Sequence, residues 1–309
     1  MSLYFNITNA CNSACAFCAE CSPEVTTRRD IPLREAIKAL ERFQLGHQDD
    51  VVINGGEPTI YDGLPELIRN ASARQAKVIL FTNGRLLKRY EYALTLLKAG
   101  VHRLSIPLHG RFPETHDRLT CRPGSFEQTL AGLRNVHSIR AETGYPRQIE
   151  LKVLAVRQSL PEWPAIIDLV APELGSQDIL LMSGLNMWCS AVVLYNQIAP
   201  TLSEMQYYVN QALDRAVVHG IQVVLWSIPL CLLNQVHIER FKSTFHSTSS
   251  NLQDSTQIVY FDPDYPECIE MPDFDFHQRC KETSCQSCTM FEMCGPGSTF
   301  MQQLLAVSG

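Results

Sequence analysis

Cysteine is the residue type whose spacing in this chain can do chemistry. Cys11, Cys15, Cys18 and Cys21 lie within "NACNSACAFCAEC", residues 9–21. Their C-x3-C-x2-C run puts three thiolates on one short, curled segment, and soft thiolates select Zn, Cu(I) or iron-sulfur clusters. Structural zinc would need a fourth ligand, for which Cys21 or His47 could stand. A cluster held by three cysteines instead leaves one iron open to a substrate or cofactor. A second set, Cys285, Cys288 and Cys294 in "CQSCTMFEMCG", follows Cys280 closely. A C-x2-C pair with two further cysteines is ordinary for structural zinc. Cys231 in "SIPLCLLN" could supply a distant fourth thiolate to that set. The isolated Cys121 and Cys189 are read as buried or partly buried small apolar residues, although Cys189 follows a strand and could serve a site.

Twelve cysteines in 309 residues would also suit a disulfide-stapled secreted protein. Such scaffolds are usually short, whereas a chain of this length buries about 75% of its unfolded surface and needs no staples. The N-terminal "MSLYFNITNAC" is polar by Asn6, without the basic start and unbroken apolar run of a signal peptide. A cytoplasmic location with thiols reduced or metal-bound is therefore expected. No apolar run reaches the length needed to span a bilayer. With 26 Lys and Arg against 32 Asp and Glu, the chain lacks the basic excess of nucleic-acid binders. The hydrophobic content of 45% is that of a globular protein.

These residues need elements to position them. Strand-length apolar runs, "LYFNIT", "DDVVING", "AKVILFTN", "VHRLSIPL", "QIELKVLAV", "SQDILLMSG" and "IQVVLWSI", alternate with stretches of helical periodicity. That alternation predicts an α/β fold with a parallel sheet covered by helices. Six βα units are fewer than the eight of a closed barrel, so a partial (βα)6 TIM-like barrel is expected over residues 1–226. Residues 227–309 read as a cysteine-rich appendage: a Ser/Thr/Asn-rich loop, then "TQIVYFDPDYPEC" as one strand or a hairpin, then the second thiol set.

In parallel βα folds, sites form where the loops after the strands converge. The polar residues of this chain recur there. The cysteine loop follows the first strand, "NGGEPT" (Asn54 to Thr59) the second, and "TNG" from Thr82 the third; Ser105 and His109 lie in or after the fourth strand, Lys152 within the fifth, and Asn186 after the sixth. One composite site is the economical reading. Gly55 and Gly56 would let backbone approach a ligand closely, and Glu57 would accept from a cationic group, or else close a turn and be solvated. Strand parity alone leaves Lys152 facing either the site or solvent.

The loop "CNSACAFC", with Phe17 before its third cysteine and "GGEP" after the second strand, resembles the signature of the radical S-adenosylmethionine superfamily. The resemblance implies that Cys11, Cys15 and Cys18 hold a 4Fe-4S cluster whose fourth iron is chelated by S-adenosylmethionine. It further implies cofactor contacts from Phe17, Gly55, Gly56, Glu57, Thr82, Ser105 and Lys152, and places His116 and Asp117 as capping or structural groups. The C-terminal cysteines resemble twitch and SPASM auxiliary-cluster regions. Their run ends at Ser298 where the full pattern has cysteine, which favours one auxiliary cluster on Cys231, Cys285, Cys288 and Cys294. Cys280 is the rival ligand, and Cys268 enters only if there is a second cluster.

Parts of the chain, including "IPLHG", "HD" and "GSFEQTLAGL", look like peptide-modifying maturases of the His-Xaa-Ser type. That resemblance implies an electron from a low-potential donor such as flavodoxin or ferredoxin, formation of a 5′-deoxyadenosyl radical, and hydrogen abstraction from a residue of a ribosomally made peptide. The outcome would be oxidation, a crosslink or epimerisation. A radical dehydrogenase or cyclase acting on a small molecule is the alternative enzyme, and a zinc-stabilised scaffold the non-enzymatic one. Little chain precedes Cys11, so peptide recognition is expected to need a separate partner protein or the barrel mouth.

Overall fold

A computed structural model describes residues 1–18, 28–185, 197–240, 258–262 and 265–271. Cys21, Asn186, Cys189, Cys280, Cys285, Cys288 and Cys294 lie outside the described residues, and Cys268 is described by its backbone alone.

Seven parallel strands carry the fold: β1 (Ser2–Asn6), β2 (Asp50–Asn54), β3 (Lys77–Phe81), β4 (Val101–Pro107), β5 (Gln148–Leu154), β6 (Ile179–Ser183) and β7 (Gln222–Trp226). Helices fill the crossovers between them: α1 (Leu33–Glu41), α2 (Leu64–Ala73), α3 (Tyr90–Lys98), α4 (Pro113–Thr120), α5 (Ser125–Thr143), α6 (Trp163–Val170) and α7 (Leu202–Val218). The hairpin of β8 (Ile258–Asp262) and β9 (Tyr265–Met271) adds β8 parallel to β1. The sheet order is β7-β6-β5-β4-β3-β2-β1-β8-β9, an open sheet among the described residues. This is the partial TIM-like barrel expected from the sequence. Two strands from beyond residue 226 are nevertheless hydrogen-bonded into the barrel sheet.

Alternate residues of the strands face opposite ways, and the two faces differ in chemistry. Leu3, Phe5, Val51, Ile53, Val78, Leu80, Leu104, Ile106, Leu151, Val153, Leu180 and Met182 join the buried faces of the helices in one hydrophobic core. The opposite face presents Asn6, Asn54, Phe81, Ser105, Glu150 and Lys152, brought side by side by the registers Asn6↔Asn54, Phe81↔Ser105, Ser105↔Glu150 and Pro107↔Lys152. Continuous apolar runs such as "VVI" and "VIL" therefore serve helices on one side and the barrel interior on the other.

Local signals set the helix ends. Thr201 and Glu204 form a reciprocal capping box at the start of α7. The sequence reading missed α4, which is short and has few apolar residues; Pro113 starts it and Cys121 ends it in the left-handed region at φ 51°. That position corrects the expectation for Cys121. A left-handed C-cap belongs to a surface turn, and Cys121 is exposed.

Asp178, fully buried by its side chain, binds Arg140 Nη1 through both oxygens at 2.7 Å and accepts from Ile149 N–H and Gly175 N–H. It thereby ties α5 to the start of β5. Removing one partner of a buried, hydrogen-bonded ion pair costs about 3–5 kcal/mol. Asp178→Ala is expected to lose that amount in a denaturant titration, and a loss below about 1 kcal/mol would contradict this role.

Candidate active site

The cysteine loop leaves β1 at the C-terminal edge of the sheet and is held there from three sides. Ala14 N–H and Ala16 N–H donate to the Thr120 and Leu119 carbonyls at the end of α4, both at 3.0 Å. Gly56 N–H donates to Thr8 O at 2.7 Å and Glu57 N–H to Ala10 O at 2.8 Å. On the third side, Asn83 Nδ2 donates to Asn12 Oδ1 at 2.6 Å, Arg85 Nη1 donates to Ser13 Oγ at 3.1 Å and to Asn12 O, and Arg122 Nε donates to Asn12 O at 3.1 Å.

The glycines of "GGEP" serve this loop. Gly55 has φ 130°, and a Cβ there would lie 2.4 Å from Thr8 O; a Cβ on Gly56 would lie 2.2 Å from Ala10 O. No real Cβ tolerates such contacts, so both glycines allow a close backbone approach to the loop.

Glu57 is 1% exposed, which excludes the solvated alternative. Its Oε1 accepts from Thr59 N–H at 3.0 Å, from the Thr59 hydroxyl and from Thr82 Oγ1 at 2.6 Å; Oε2 accepts from Asn83 N–H at 2.7 Å. Burial pushes the carboxyl above its ordinary value while these donated hydrogen bonds pull it back. Thr82 Oγ1 also accepts from Gly84 N–H at 3.1 Å. The strand-end motifs "GGEP" and "TNG" are thus one hydrogen-bonded unit.

Cys11, Cys15 and Cys18 are partly exposed thiols outside any disulfide. Ser13 N–H donates to Cys11 Sγ at 3.3 Å and Cys18 N–H to Cys15 O at 3.1 Å. Burial pushes the Cys15 thiol up, and the neighbouring Cys18, Cys11 and Cys121 add to the shift. Three thiols that feel one another on a tightly tethered loop suit a polynuclear metal group, which would take their charge. Among the described residues, no His, Cys, Asp or Glu side chains gather in threes around a single ion.

Phe17 is buried in a small cluster with Leu119, Leu154, Val156, Leu185, Ile198 and Ala199. Its ring lies 4.6 Å from that of His109, His109 lies 5.6 Å from His116, and His116 lies 5.8 Å from Phe126. His109 N–H donates to His116 Nδ1 at 3.2 Å. Burial chiefly, then the neighbouring His116 and Lys152, holds the His109 imidazole well below its ordinary value. Its Nδ1 is buried with no hydrogen-bond partner among the described residues. Ser105 donates to Glu150 Oε1 at 2.7 Å, and Glu150 faces Arg103 Nη1 at 3.8 Å. Asp117 accepts from Gly124 N–H, Phe126 N–H and the Ser125 hydroxyl at 2.5–2.8 Å, capping α5. Asp117 thus caps α5, and His116 holds the backbone of His109. Cys231 is exposed on the turn Leu230–Leu232 after β7.

Burial, followed by Arg85, lowers the His116 pKa to about 4 against the opposing pull of Asp117. The unfolded chain takes a proton near pH 6.5 that the folded one refuses, so stability is present above that pH and falls as pH drops toward 4. Urea midpoints measured across that window should decline, and less steeply in His116→Asn; equal slopes would contradict the assignment.

Sequence reasoning missed Arg85 and Arg122. The "TNGR" run was on view, but nothing local in it points to a loop some seventy residues upstream.

Comparisons with known proteins agree with this geometry. Residues 5–144 match the family model described as the Radical SAM superfamily. An AdoMet-dependent heme synthase of Methanosarcina barkeri is 31% identical over 172 residues, 56% of this chain and 47% of that protein. A GTP 3′,8-cyclase of Peptoclostridium acidaminophilum is 34% identical over 143 residues, 44% of this chain and 42% of that protein. The chain thus spans less than half the length of these curated relatives. Native anSMEcpe with bound AdoMet superposes with a TM-score of 0.67 at 14% identity, over 99% of this chain and 94% of that one. SuiB of Streptococcus suis bound to its precursor peptide SuiA gives 0.61 at 13% identity, over 97% and 72%. The tethered three-cysteine loop and the strand-end glycines that seat it lie within residues 5–144, the stretch that is similar to the Radical SAM superfamily model.

Proposed function

We propose that this protein is a radical S-adenosylmethionine enzyme acting on a residue of a ribosomally made peptide. The observation that carries the radical reading is the C-x3-C-x2-C loop, fixed by backbone hydrogen bonds from Gly56 and Glu57 at the C-terminal edge of a partial barrel. A 4Fe-4S cluster on Cys11, Cys15 and Cys18 would supply the electron that cleaves S-adenosylmethionine, and the resulting 5′-deoxyadenosyl radical would take hydrogen from the substrate.

The chain's own residues divide the remaining work. Gly55, Gly56, Glu57 and Thr82 hold the loop and the β2–β3 edge in register, with Glu57 acting through the loop because its oxygens are already engaged. Lys152 would bind the cofactor's carboxylate, a reading supported by its position on the interior face of β5 and near His109. Ser105 steadies that face through Glu150, and Phe17 with His109 walls the space beside the third cysteine. A charge-assisted contact contributes about 1.5–3 kcal/mol, or about 10-fold to 150-fold in affinity. Lys152→Ala is expected to weaken S-adenosylmethionine binding by that factor in calorimetric titration of anoxically reconstituted protein; unchanged affinity would remove Lys152 from the site.

Peptide chemistry is favoured by the likeness of fold to SuiB, which was solved with its precursor peptide, across nearly the whole of this chain. The small-molecule reading draws on the heme synthase and cyclase similarities, which are confined to about half of it. Cys231, Cys285, Cys288 and Cys294 are assigned to one auxiliary cluster that serves substrate turnover. A flavodoxin or ferredoxin would donate the electron, and a separate recognition protein would deliver the peptide. The test is anoxic incubation with S-adenosylmethionine, strong reductant and the precursor peptide encoded nearest the gene. The expected result is 5′-deoxyadenosine with a mass change in the peptide, and a Cys288→Ala variant should still release 5′-deoxyadenosine while losing peptide product. 5′-Deoxyadenosine coupled to consumption of a small molecule, with the peptide unaltered, would move the assignment to the alternative enzyme.

A further inference from the structure

Two guanidinium groups converge on one carbonyl oxygen in this molecule. Arg85, on the turn Arg85–Lys88 after β3, and Arg122, in the connection between α4 and α5, both donate to Asn12 O, which lies between Cys11 and Cys15. Arg85 is held in place by Gln128 Oε1 at 2.9 Å through Nε, and it also donates to Ser13 Oγ. Among the described residues no carboxylate pairs with either guanidinium. Like charges gathered this closely repel, and a single neutral carbonyl does not offset that repulsion. An anion beside the loop would offset that repulsion.

We infer that Arg85 and Arg122 form a cationic clamp that positions the cysteine loop and makes the metal group bound there easier to reduce. This rests on the cluster assignment proposed above. A cluster with three thiolate ligands is anionic, and one-electron reduction increases its negative charge. Nearby fixed cations favour the reduced form, because net charge and hydrogen bonding around the ligands set the potential of such clusters. Both arginines act through the Asn12 carbonyl and through charge, and are positioning residues.

The test compares Arg85→Gln, Arg85→Lys and Arg122→Gln with the wild-type protein after anoxic reconstitution. Iron and sulfide content, far-ultraviolet circular dichroism and a redox titration followed by electron paramagnetic resonance are read for each. Arg85→Gln and Arg122→Gln are expected to shift the midpoint to more negative potential, and Arg85→Lys, which keeps the charge and loses the fork, to stay near the wild-type value. Arg122, whose contact is exposed, supplies the decisive variant if Arg85→Gln does not retain iron. Iron-loaded glutamine variants with the wild-type midpoint would overturn the inference, as would a shift in Arg85→Lys equal to that in Arg85→Gln, which would assign the effect to geometry alone. Wild-type protein that takes up no iron would instead sink the cluster assignment itself, so the two failures are distinguishable.

Discussion

Replacing Cys11, Cys15 and Cys18 together with alanine is expected to abolish reductive cleavage of S-adenosylmethionine while leaving the barrel folded. The barrel's main hydrophobic core contains none of the three. The loop backbone is held by partners that do not involve their thiols: Ala14 and Ala16 to α4, Gly56 and Glu57 to Thr8 and Ala10. The variant should retain iron only at the C-terminal cysteines, keep its far-ultraviolet spectrum, and yield no 5′-deoxyadenosine above the no-enzyme control. Sustained 5′-deoxyadenosine formation under strong reductant would move the chemistry elsewhere in the chain.

Glu57→Ala is the substitution expected to disturb the site most without touching a thiol. It removes the acceptor of Thr59 N–H, Asn83 N–H and the Thr59 and Thr82 hydroxyls in a pocket from which water is nearly excluded. A buried donor left unsatisfied costs about 1–3 kcal/mol, and hydroxyls can turn to new partners while the two backbone N–H groups cannot. A destabilisation of about 2–5 kcal/mol is therefore expected, with loss of iron from the N-terminal site, because the "TNG" strand end that carries Asn83 and Arg85 is anchored through the same carboxylate. Glu57→Gln keeps one acceptor oxygen and should recover part of both. Wild-type stability and iron content in Glu57→Ala would reduce this residue to a spectator.

The fold was legible because parallel strands buried on both faces read as unbroken apolar runs, and "SFEQTLAGLRNVHSIRAET" coincides with α5 from end to end. α4 was not, since its sequence, "PETHDRLT", is mostly polar and its buried residues include Thr115, His116 and Thr120. The cysteine loop announced itself by spacing, which is local. The partners that hold it depend on register between strands: Glu57 meets Thr82 across the β2–β3 edge, and Arg85 meets Asn12 only after β1 and β3 are in the sheet. Lys152 shows the same limit. Its alternation within β5 was visible, but which alternate face the helices cover is decided by the packing of α5, α6 and their neighbours. Gly55 and Gly56 show a related limit: a need for close approach is readable from glycine, while the approach to Thr8 and Ala10 of the cysteine loop is not.

On the function proposed above, the tethered C-x3-C-x2-C loop holds an iron-sulfur cluster that cleaves S-adenosylmethionine. It is tested most directly in a variant with Cys285, Cys288 and Cys294 replaced by alanine, so that the N-terminal loop is the metal site under measurement. After anoxic reconstitution, this variant should hold about four iron and four sulfide per chain and release 5′-deoxyadenosine when reductant and S-adenosylmethionine are added. Stoichiometric zinc with no labile sulfide, and no 5′-deoxyadenosine, would contradict the account.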